Sequence, residues 1–246
     1  MGIDTFQTFG NPIELASKEV FRPYFDANPL RSSGQGFASL YMWSQQRYAV
    51  IDGLLCIAGQ GWFGQEYGGP FLYPPLSADG QYDPEHLRKV ILQAKEMLRD
   101  PDWGFRLFGV PGKCVPLYDE ALAGYAERKE NRDNWDYIYR RSDLETLSGR
   151  KYTKKRNHLN HFYATHRYLY ESIRPEHVPE LMEGLERFSS RRAARDAFDE
   201  LIQEEILAVK KILPVYEQIG MFGGLIRIDG VGKAFALGSR HTADTV

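Results

Sequence analysis

The strongest constraint on the fold is a break in the hydrophobic pattern near the middle of the chain. Residues 127–134 are all polar, and six of the eight are charged. Such a segment stays at a surface, and apolar helix and strand patterns lie on both sides of it. A chain of 246 residues is long enough for two small domains with separate cores. We therefore predict an α+β protein with one domain over residues 1–130 and another over residues 131–246.

The first domain shows helix and strand signals in turn. Apolar residues at helical spacing predict four helices, over residues 15–25, 37–48, 84–99 and 117–127. Apolar runs bounded by Gly or Pro predict three strands, over residues 48–59, 69–73 and 105–110. Asp83 before Pro84 is the clearest helix start, because Asp accepts a hydrogen bond from a free N–H and Pro has none to lose. The aromatic residues expected in the core are Tyr41, Trp43, Trp62 and Tyr73.

The second domain also mixes both kinds of element. Strand signals lie at residues 135–140, 168–173, 222–228 and 234–239, and residues 241–246 resemble the start of another strand. Asp229-Gly230 predicts a hairpin turn between the last two complete strands. Helix signals are a capping box at Ser142 and Glu145, a basic helix over residues 151–166 and a start at Pro175. A later amphipathic helix has one apolar face, formed by Phe198, Leu201, Ile202, Ile206, Val209, Ile212 and Leu213.

Composition and cysteine content exclude several classes of protein. The formal net charge is -2, with 43% hydrophobic and 26% charged residues, which indicates no general attraction to nucleic acid or membranes. Cys56 and Cys114 have no Cys or His neighbour at metal-ligand spacing, so neither a disulfide framework nor a zinc site is indicated. The sequence shows no signal peptide and no membrane-spanning segment, and we expect a cytoplasmic protein. No pattern specifies an oligomeric state.

Positive charge is concentrated in one segment of the second domain. Residues 140–167 contain eight Lys or Arg against two acidic residues, in a chain that is slightly negative overall. If the segment is a helix, its cationic side chains lie within one arc of about 120°; they are Lys151, Lys154, Lys155, His158 and His161. The neighbouring arc is expected to pack against the domain and consists of Tyr152, Leu159, Phe162 and Tyr163.

A solvated helix face is the ordinary explanation of such a cluster. Here, however, like charges three and four residues apart repel one another, and few acidic residues on the same helix offset them. A bound anion would relieve that repulsion. A nucleotide phosphate, a tRNA backbone and a lipid phosphate are all candidates, because Lys and Arg bind each of them.

The same segment carries a resemblance to a known family. Its most specific part is Lys154-Lys155-Arg156-Asn157-His158, preceded by Gly149-Arg150-Lys151-Tyr152, Leu147, Asp143-Leu144 and Asp136-Tyr137-Ile138-Tyr139. The later matching residues are Gly223-Gly224-Leu225-Ile226, Ala234-Phe235 and Gly238-Ser239. On these residues the chain resembles the phosphatidylglycerol lysyltransferase C-terminal domain family over most of its length.

The resemblance implies two tandem acetyltransferase-like (GNAT) domains, of which the second lacks its last strands and helix within this sequence. Characterised members move an amino acid from aminoacyl-tRNA to a lipid head group. The resemblance therefore implies aminoacyl-tRNA or acyl coenzyme A as the donor and a lipid at the membrane surface as one acceptor. The predicted binding site for the donor, or for another polyanion, consists of Arg150, Lys151, Lys154, Lys155, Arg156, Asn157 and His158.

A second motif, in the first domain, resembles a cofactor loop. Residues 31–36 match the R-x-x-G-x-G pattern by which acetyltransferases bind the pyrophosphate of coenzyme A. The motif should follow a strand, but here it follows a helix and a turn, so a helix entry loop is favoured. Pro74 and Pro75 stand where the first domain would need a glycine-rich loop, and we expect no coenzyme A there.

No single residue is identified as catalytic. His158, His161 and His166 lack carboxylate or thiol companions, so no metal site is predicted. Glu205 and Glu217 are candidate carboxylates, although a solvated helix face explains them better.

Two hypotheses follow for the function. The first is an aminoacyl or acyl transferase in which the basic helix holds an anionic donor, and where the protein mainly positions an already activated ester or thioester. The second is a module that binds tRNA or another polyanion without chemistry, or an inactive shortened relative of such an enzyme.

Overall fold

The computed structural model describes residues 5–29, 31–43, 46–60, 69–100, 102, 104–192 and 199–246. The helices are α1 Thr5–Thr8, α2 Ser17–Ala27, α3 Phe37–Met42, α4 Pro84–Met97, α5 Val115–Ala121, α6 Arg141–Thr146, α7 Thr153–Thr165, α8 Val178–Arg192, α9 Asp199–Ile212 and α10 Tyr216–Ile219. The strands are β1 Asn11–Pro12, β2 Gln46–Ile51, β3 Leu54–Gln60, β4 Pro70–Leu72, β5 Leu76–Ser77, β6 Arg106–Leu107, β7 Tyr168–Ser172, β8 Met221–Ile228 and β9 Val231–Ser239. The mixture of helices and strands confirms the α+β class.

The chain forms two compact units that are not consecutive stretches of sequence. Residues 1–134, 215–220 and 239–246 form the first unit, and residues 135–214 and 221–238 form the second. Each unit has its own sheet, with strand order β1-β2-β3-β4-β6 and β5 beside β3 in the first, and β7-β8-β9 in the second.

The sheet of the first unit is antiparallel except at one edge. Strands β2, β3 and β4 pair antiparallel, whereas β4 and β6 pair parallel, with Phe71 opposite Arg106 and Leu72 opposite Leu107. Phe108 N–H continues the parallel pairing by donating to Leu72 O at 2.8 Å. Because parallel strands run in the same direction, the segments that begin at Tyr73 and Gly109 leave the sheet at the same end.

Strand β3 carries the core of the first unit on both faces. Side chains alternate along a strand, so Leu54, Cys56 and Ala58 pack with α4 and α5 on one face. Leu55 and Ile57 pack on the other face with residues of α2 and α3. All of these β3 residues are buried. The sheet is therefore covered on both sides, which explains the continuous apolar run in the sequence.

The predicted strand over residues 48–59 is wrong, because it is two strands. The chain reverses at Asp52-Gly53, where both residues have positive φ (47° and 82°), and β2 pairs with β3 from Ile51↔Leu54 outwards. Asp-Gly is a preferred sequence for this tight hairpin turn. The unbroken apolar pattern on both sides concealed it. The helix predicted over residues 37–48 is correspondingly shorter and ends at Met42.

Several predicted features of the first unit are confirmed. Asp83 caps α4, with its Oδ2 accepting from His86 N–H at 2.7 Å and Pro84 at the first helical position. Tyr73 is buried in the core, while Tyr41 and Trp43 are half-buried. Trp62, also expected in the core, lies outside the described residues.

The second unit packs α8 and α9 with a three-stranded sheet. Strand β7 pairs antiparallel with β8 from Tyr168↔Ile228 to Ser172↔Gly224. The predicted turn at Asp229-Gly230 is confirmed, with φ of 51° and 76°. On α9 and just after it, Ile206, Ile212 and Leu213 of the predicted apolar face are buried. Phe198 of that face lies outside the described residues.

Three predictions for the second domain are wrong. Residues 135–140 form no strand, and Tyr137 and Ile138 are 87% and 85% exposed. The alternation in their sequence therefore has no partner strand to support it. Helix α6 begins at Arg141 without a side-chain cap, so Ser142 is not a capping residue. Residues 241–246 form a turn in which His241 N–H donates to Thr245 O at 2.9 Å.

The first prediction concerns the close approach of β3 and β4. Gly59 lies opposite Phe71, and a Cβ at Gly59 would overlap the Phe71 ring. We expect Gly59→Ala to lower the free energy of unfolding by about 1–3 kcal/mol, because neither strand can move without disturbing the core. Urea unfolding measures this. Gly112→Ala, at a position with no atom near the added methyl group, is the matched control and should change stability by no more than about 0.5 kcal/mol. Equal effects of the two changes would contradict the interpretation.

Candidate anion-binding site

The predicted basic helix is present and begins with a tighter turn. A 3₁₀ turn over Arg150–Tyr152 leads directly into α7, whose bounds Thr153–Thr165 match the expected helix closely. The chain reverses between α6 and α7 through Leu147 and Gly149, which both have positive φ (46° and 89°). Tyr152 is 6% exposed and anchors the turn in the unit.

Arg156 holds this reversal together. Its guanidinium donates to Leu147 O and, at 2.8 Å, to Gly149 O, and it also contacts Thr153 Oγ1 at 3.3 Å. The Leu147 carbonyl thereby gains a donor, and the Gly149 carbonyl, which also accepts from Tyr152 N–H at 3.3 Å, gains a second one. The planar guanidinium, with several fixed N–H groups, suits this task better than an ammonium group. Arg156 was predicted to bind an anion, but here its donors serve the backbone.

Lys151 also has a partner within the protein. Its ammonium lies 3.1 Å from Asp143 Oδ2 and 4.8 Å from the centre of the Tyr152 ring. The hydrogen bond to Asp143, supported by the charge of that carboxylate, raises the pKa of Lys151 above its ordinary value. Lys151 therefore links the start of the basic segment to α6.

Lys154, Lys155 and His158 differ from these two residues. All three are exposed, and their side chains make no hydrogen bond or ion pair in the described part of the chain. Arg150 and Asn157 are exposed in the same way. Of the seven predicted site residues, two thus stabilise the turn and five face solvent.

The position of the two lysines makes them electrostatically unfavourable in the protein alone. Lys154 and Lys155 lie in the first turn of α7, which contains no acidic residue, and its N-cap makes no side-chain hydrogen bond. The first turn of a helix carries partial positive charge, so cations there are disfavoured and anions are favoured. A bound anion would therefore remove a repulsion that the described residues do not offset.

The neighbouring apolar arc of α7 is only partly packed, which corrects the sequence prediction. Tyr152 is buried and Phe162 half-buried, but Leu159 and Tyr163 are 39% and 55% exposed. Most of the helix surface faces solvent. The apolar residues of its last turns instead contribute to an exposed group of rings.

We call this group the aromatic cluster, and it consists of Phe162, Tyr163, His166 and Tyr168. The Phe162 and His166 rings stack with centres 5.0 Å apart, and those of Tyr163 and Tyr168 stack with centres 5.7 Å apart. Phe162 also contacts Tyr168, with ring centres 5.3 Å apart, which joins the two stacks. Sequence reasoning did not reveal this arrangement, because the last residue belongs to the next strand.

A partly buried arrangement of charges in the second unit was also missed. Arg227 on β8 donates from Nε to Glu171 Oε2 at 2.5 Å and from a terminal nitrogen to Glu180 Oε1 at 2.7 Å. Glu180 also accepts from Gly232 N–H at 3.0 Å. The hydrogen bond from Arg227 lowers the pKa of Glu180, and the two carboxylates raise the pKa of Arg227. Helix α8 is thereby fixed to the hairpin of β8 and β9.

The R-x-x-G-x-G motif of the first unit is a helix entry loop, as the sequence favoured. A 3₁₀ turn over Ser33–Gln35 leads into α3, with Gly36 at the N-cap. Arg31 donates to the carbonyls of Phe25, Asn28 and His241, and burial lowers its pKa to about 10. The loop lies against the segments that follow the parallel strands, because a Cβ at Gly34 would be 3.2 Å from the Tyr73 hydroxyl and one at Gly109 3.6 Å from Ser32 Oγ.

The remaining candidates show no catalytic arrangement. Glu205 is exposed on α9, and Glu217 accepts a hydrogen bond from the adjacent Tyr216 hydroxyl at 3.2 Å. Burial raises the pKa of the Cys56 thiol to about 12, which leaves it protonated and unreactive at neutral pH. Within the described residues, no group of three or more His, Cys, Asp or Glu side chains could hold a metal ion. No helix in that part of the chain is long and apolar enough to cross a membrane.

One comparison with known proteins identifies a family. The family model for the C-terminal region of phosphatidylglycerol lysyltransferases matches residues 27–246. Among solved structures, the chain is similar to the crystal structure of a conserved protein of unknown function from Bacteroides thetaiotaomicron. The two are 27% identical, with a TM-score of 0.71 and coverage of 92% of this chain and 73% of that one. No curated protein matches the chain.

The second prediction tests the structural role of Arg156. We expect Arg156→Ala to lower the free energy of unfolding by about 1–2 kcal/mol, because it leaves the carbonyls of the turn without their charged donor. Lys155→Ala, the neighbouring change of a cation without a protein partner, should leave the stability unchanged or raise it slightly. Thermal unfolding of the two variants decides the matter. A destabilisation by Lys155→Ala as large as that by Arg156→Ala would contradict the assignment.

The third prediction concerns acid stability through Glu180. Its pKa is lowered in the folded protein, so its contribution is present above the unfolded value near 4.5 and is lost as pH falls through the folded value. We expect Glu180→Gln to destabilise the protein most at neutral pH and progressively less below about pH 5. Unfolding temperatures measured across this range test the trend.

Glu183→Gln, on an exposed position of the same helix, is the control for loss of one negative charge. Its effect on the unfolding temperature should be small throughout. A difference between Glu180→Gln and the natural protein that stays constant with pH would show that the carboxylate charge is not what stabilises the hairpin.

Proposed function

Because the chain belongs to the phosphatidylglycerol lysyltransferase C-terminal family, we propose that it is an aminoacyl or acyl transferase with an anionic donor. The proposed donor is aminoacyl-tRNA, with acyl coenzyme A as the alternative. Both donors present an activated ester or thioester on a phosphate-rich carrier. Membership of the family supports a lysyltransferase-like domain. The proposal of a particular donor rests on the basic helix.

The observation that carries the proposal is the pair Lys154 and Lys155. Both are exposed in the first turn of α7 and have no partner among the described residues. Lys151 and Arg156 on either side are occupied by Asp143 and by backbone carbonyls. The occupied cations fix the turn, and the free ones are left for a ligand. His158, one turn further along, adds an exposed ring N–H donor.

We propose that both units have the GNAT-like fold, with the donor bound by the second. The parallel pair β4 and β6 at the edge of an otherwise antiparallel sheet supports this fold for the first unit. The loop over residues 31–36 lies against the segments that follow these strands, which is where such a fold would bind coenzyme A. Because the protein's own loop packs at this position in the first unit, we place the donor site in the second unit.

The chemistry requires little more than positioning. The carbonyl carbon of the donor ester is attacked by a nucleophile of the acceptor, and the carrier leaves as its alcohol or thiol. Alignment of an activated ester with its acceptor supplies much of the acceleration, and N–H donors near the developing oxyanion supply more. The cations of α7 would hold the carrier while the acceptor, such as a lipid head group at the membrane surface, approaches.

Binding without chemistry is the second candidate function. It is supported by the open character of the helix, because Lys154, Lys155 and His158 are all exposed rather than placed in a cleft that excludes water. On this hypothesis the same residues bind tRNA or another polyanion, and no transfer follows.

The fourth prediction tests the donor site. The natural protein should bind aminoacyl-tRNA in preference to uncharged tRNA, and Lys154→Ala with Lys155→Ala should weaken that binding by roughly tenfold at near-physiological salt. The slope of log affinity against log salt should fall by about 1 for each phosphate that the variant no longer binds. Filter binding with charged tRNA, uncharged tRNA and acetyl coenzyme A in parallel gives both quantities.

The matched control is Lys113→Ala with Lys129→Ala, which removes the same charge from exposed positions of the first unit. Its affinity for tRNA should stay close to that of the natural protein. Equal loss of affinity in both double variants would mean that net charge, and not α7, determines binding. Equal binding of charged and uncharged tRNA, without transfer of labelled amino acid to lipid vesicles, would favour the binding module over the enzyme.

A further inference from the structure

The outer rings of the aromatic cluster are arranged unlike core residues. Tyr163 and Tyr168 lie nearly parallel, with an interplanar angle of 21°, yet they are 55% and 45% exposed. Their hydroxyl groups make no hydrogen bond to the described part of the protein. Burial explains Phe162, but it does not explain two stacked rings that remain half in water.

The cluster has an inner and an outer layer. Phe162 is half-buried and stacks on the His166 ring at an angle of 15°. Tyr168 rests against Phe162 and extends the outer layer onto strand β7. Side chains alternate along a strand, so Tyr170, which is 63% exposed, lies on the same face of the sheet as Tyr168. The exposed rings therefore continue from the helix onto the sheet.

Exposed cations lie on α7 and directly before β7, the two elements that carry the rings. Lys155 lies on nearly the same side of α7 as Phe162, seven residues earlier, which is about 10 Å along the axis. Arg167 lies between His166 and Tyr168 in sequence and is exposed, with no partner among the described residues. Flat rings beside separated cations match the two chemical parts of a single-stranded nucleic acid, its bases and its phosphates.

We propose that Tyr163 and Tyr168 form a stacking surface for an unpaired base of an RNA donor, whose phosphates Lys155 and Arg167 bind. This inference rests on the proposed function, which needs only the phosphates, and extends it by saying how a single-stranded end is recognised. A ring face binds any base, so the surface selects unpaired over paired RNA and does not select a sequence. Insertion into lipid requires side chains that protrude from the surface, whereas these two rings lie parallel to each other, which favours stacking on a base.

The test compares two RNA hairpins of identical stem, one with a short unpaired 3′ end and one with a blunt end. A fluorescent adenine analogue in the unpaired end reports stacking directly. The natural protein should bind the tailed hairpin roughly tenfold more tightly than the blunt one and should change the fluorescence of the analogue. Equal affinity for the two hairpins would overturn the proposal.

Variants separate the surface from the basic helix. The single variants Tyr163→Leu and Tyr168→Leu should each lose the preference for the tail and the fluorescence change, while the salt dependence of binding stays the same. Tyr163→Phe, which keeps the ring, should retain the preference and the fluorescence change. Circular dichroism confirms that each variant is folded. The combined change of Lys154→Ala and Lys155→Ala should weaken both hairpins and reduce the salt dependence.

The outcomes distinguish this inference from the proposed function. If the lysine variant loses affinity while the tyrosine variants keep the preference for the tail, the stacking surface is wrong and the donor site stands. If neither set of variants changes RNA binding, both proposals fail. Binding of the natural protein to anionic lipid vesicles that Tyr163→Leu abolishes, with no RNA preference, would assign the surface to a membrane and overturn the proposal.

Discussion

The candidate site depends on the hydrogen bonds that Arg156 makes to the backbone before α7. Leu147 and Gly149 both adopt positive φ, so the chain reverses sharply between α6 and α7. Arg156 donates to the carbonyls of both residues from within α7 itself. The helix therefore stabilises the turn that sets its own starting point. Lys151 and Asp143 add a second link between the basic segment and α6.

In our account, the function of the basic segment follows from which of its cations have partners within the protein and which do not. The five Lys and Arg residues of the segment 150–156 look equivalent in sequence, but their contacts divide them into two groups. Lys151 is paired with the Asp143 carboxylate and Arg156 is bonded to backbone carbonyls, whereas Lys154 and Lys155 face solvent in a helical turn that disfavours positive charge. A phosphate-bearing ligand that binds these two lysines would remove the repulsion between their charges and the start of the helix. The same helix ends in the aromatic cluster, so charge and stacking lie along one element.

Sequence alone was sufficient where the signal is local. The Asp83 cap of α4, the Asp229-Gly230 hairpin and the extent of α7 follow from short-range rules, and all are confirmed. Prediction from sequence was wrong for residues 135–140, which alternate but find no neighbouring strand. The Asp52-Gly53 turn has the same local signal as Asp229-Gly230, and it was missed because apolar residues on both sides of it resemble one continuous strand. Which cations are free, and which rings stack, depends on packing between elements and cannot be derived from spacing.

The most direct test of the central claim is to measure the chemical reactivity of individual lysines with and without aminoacyl-tRNA. Reductive methylation read by mass spectrometry gives a rate for each ammonium group. In the free protein, Lys154 and Lys155 should react faster than Lys151, whose ammonium is bonded to Asp143. Adding aminoacyl-tRNA should protect the two fast lysines and leave Lys129 in the first unit unchanged. Full reactivity of Lys154 and Lys155 in the presence of bound tRNA would contradict the account.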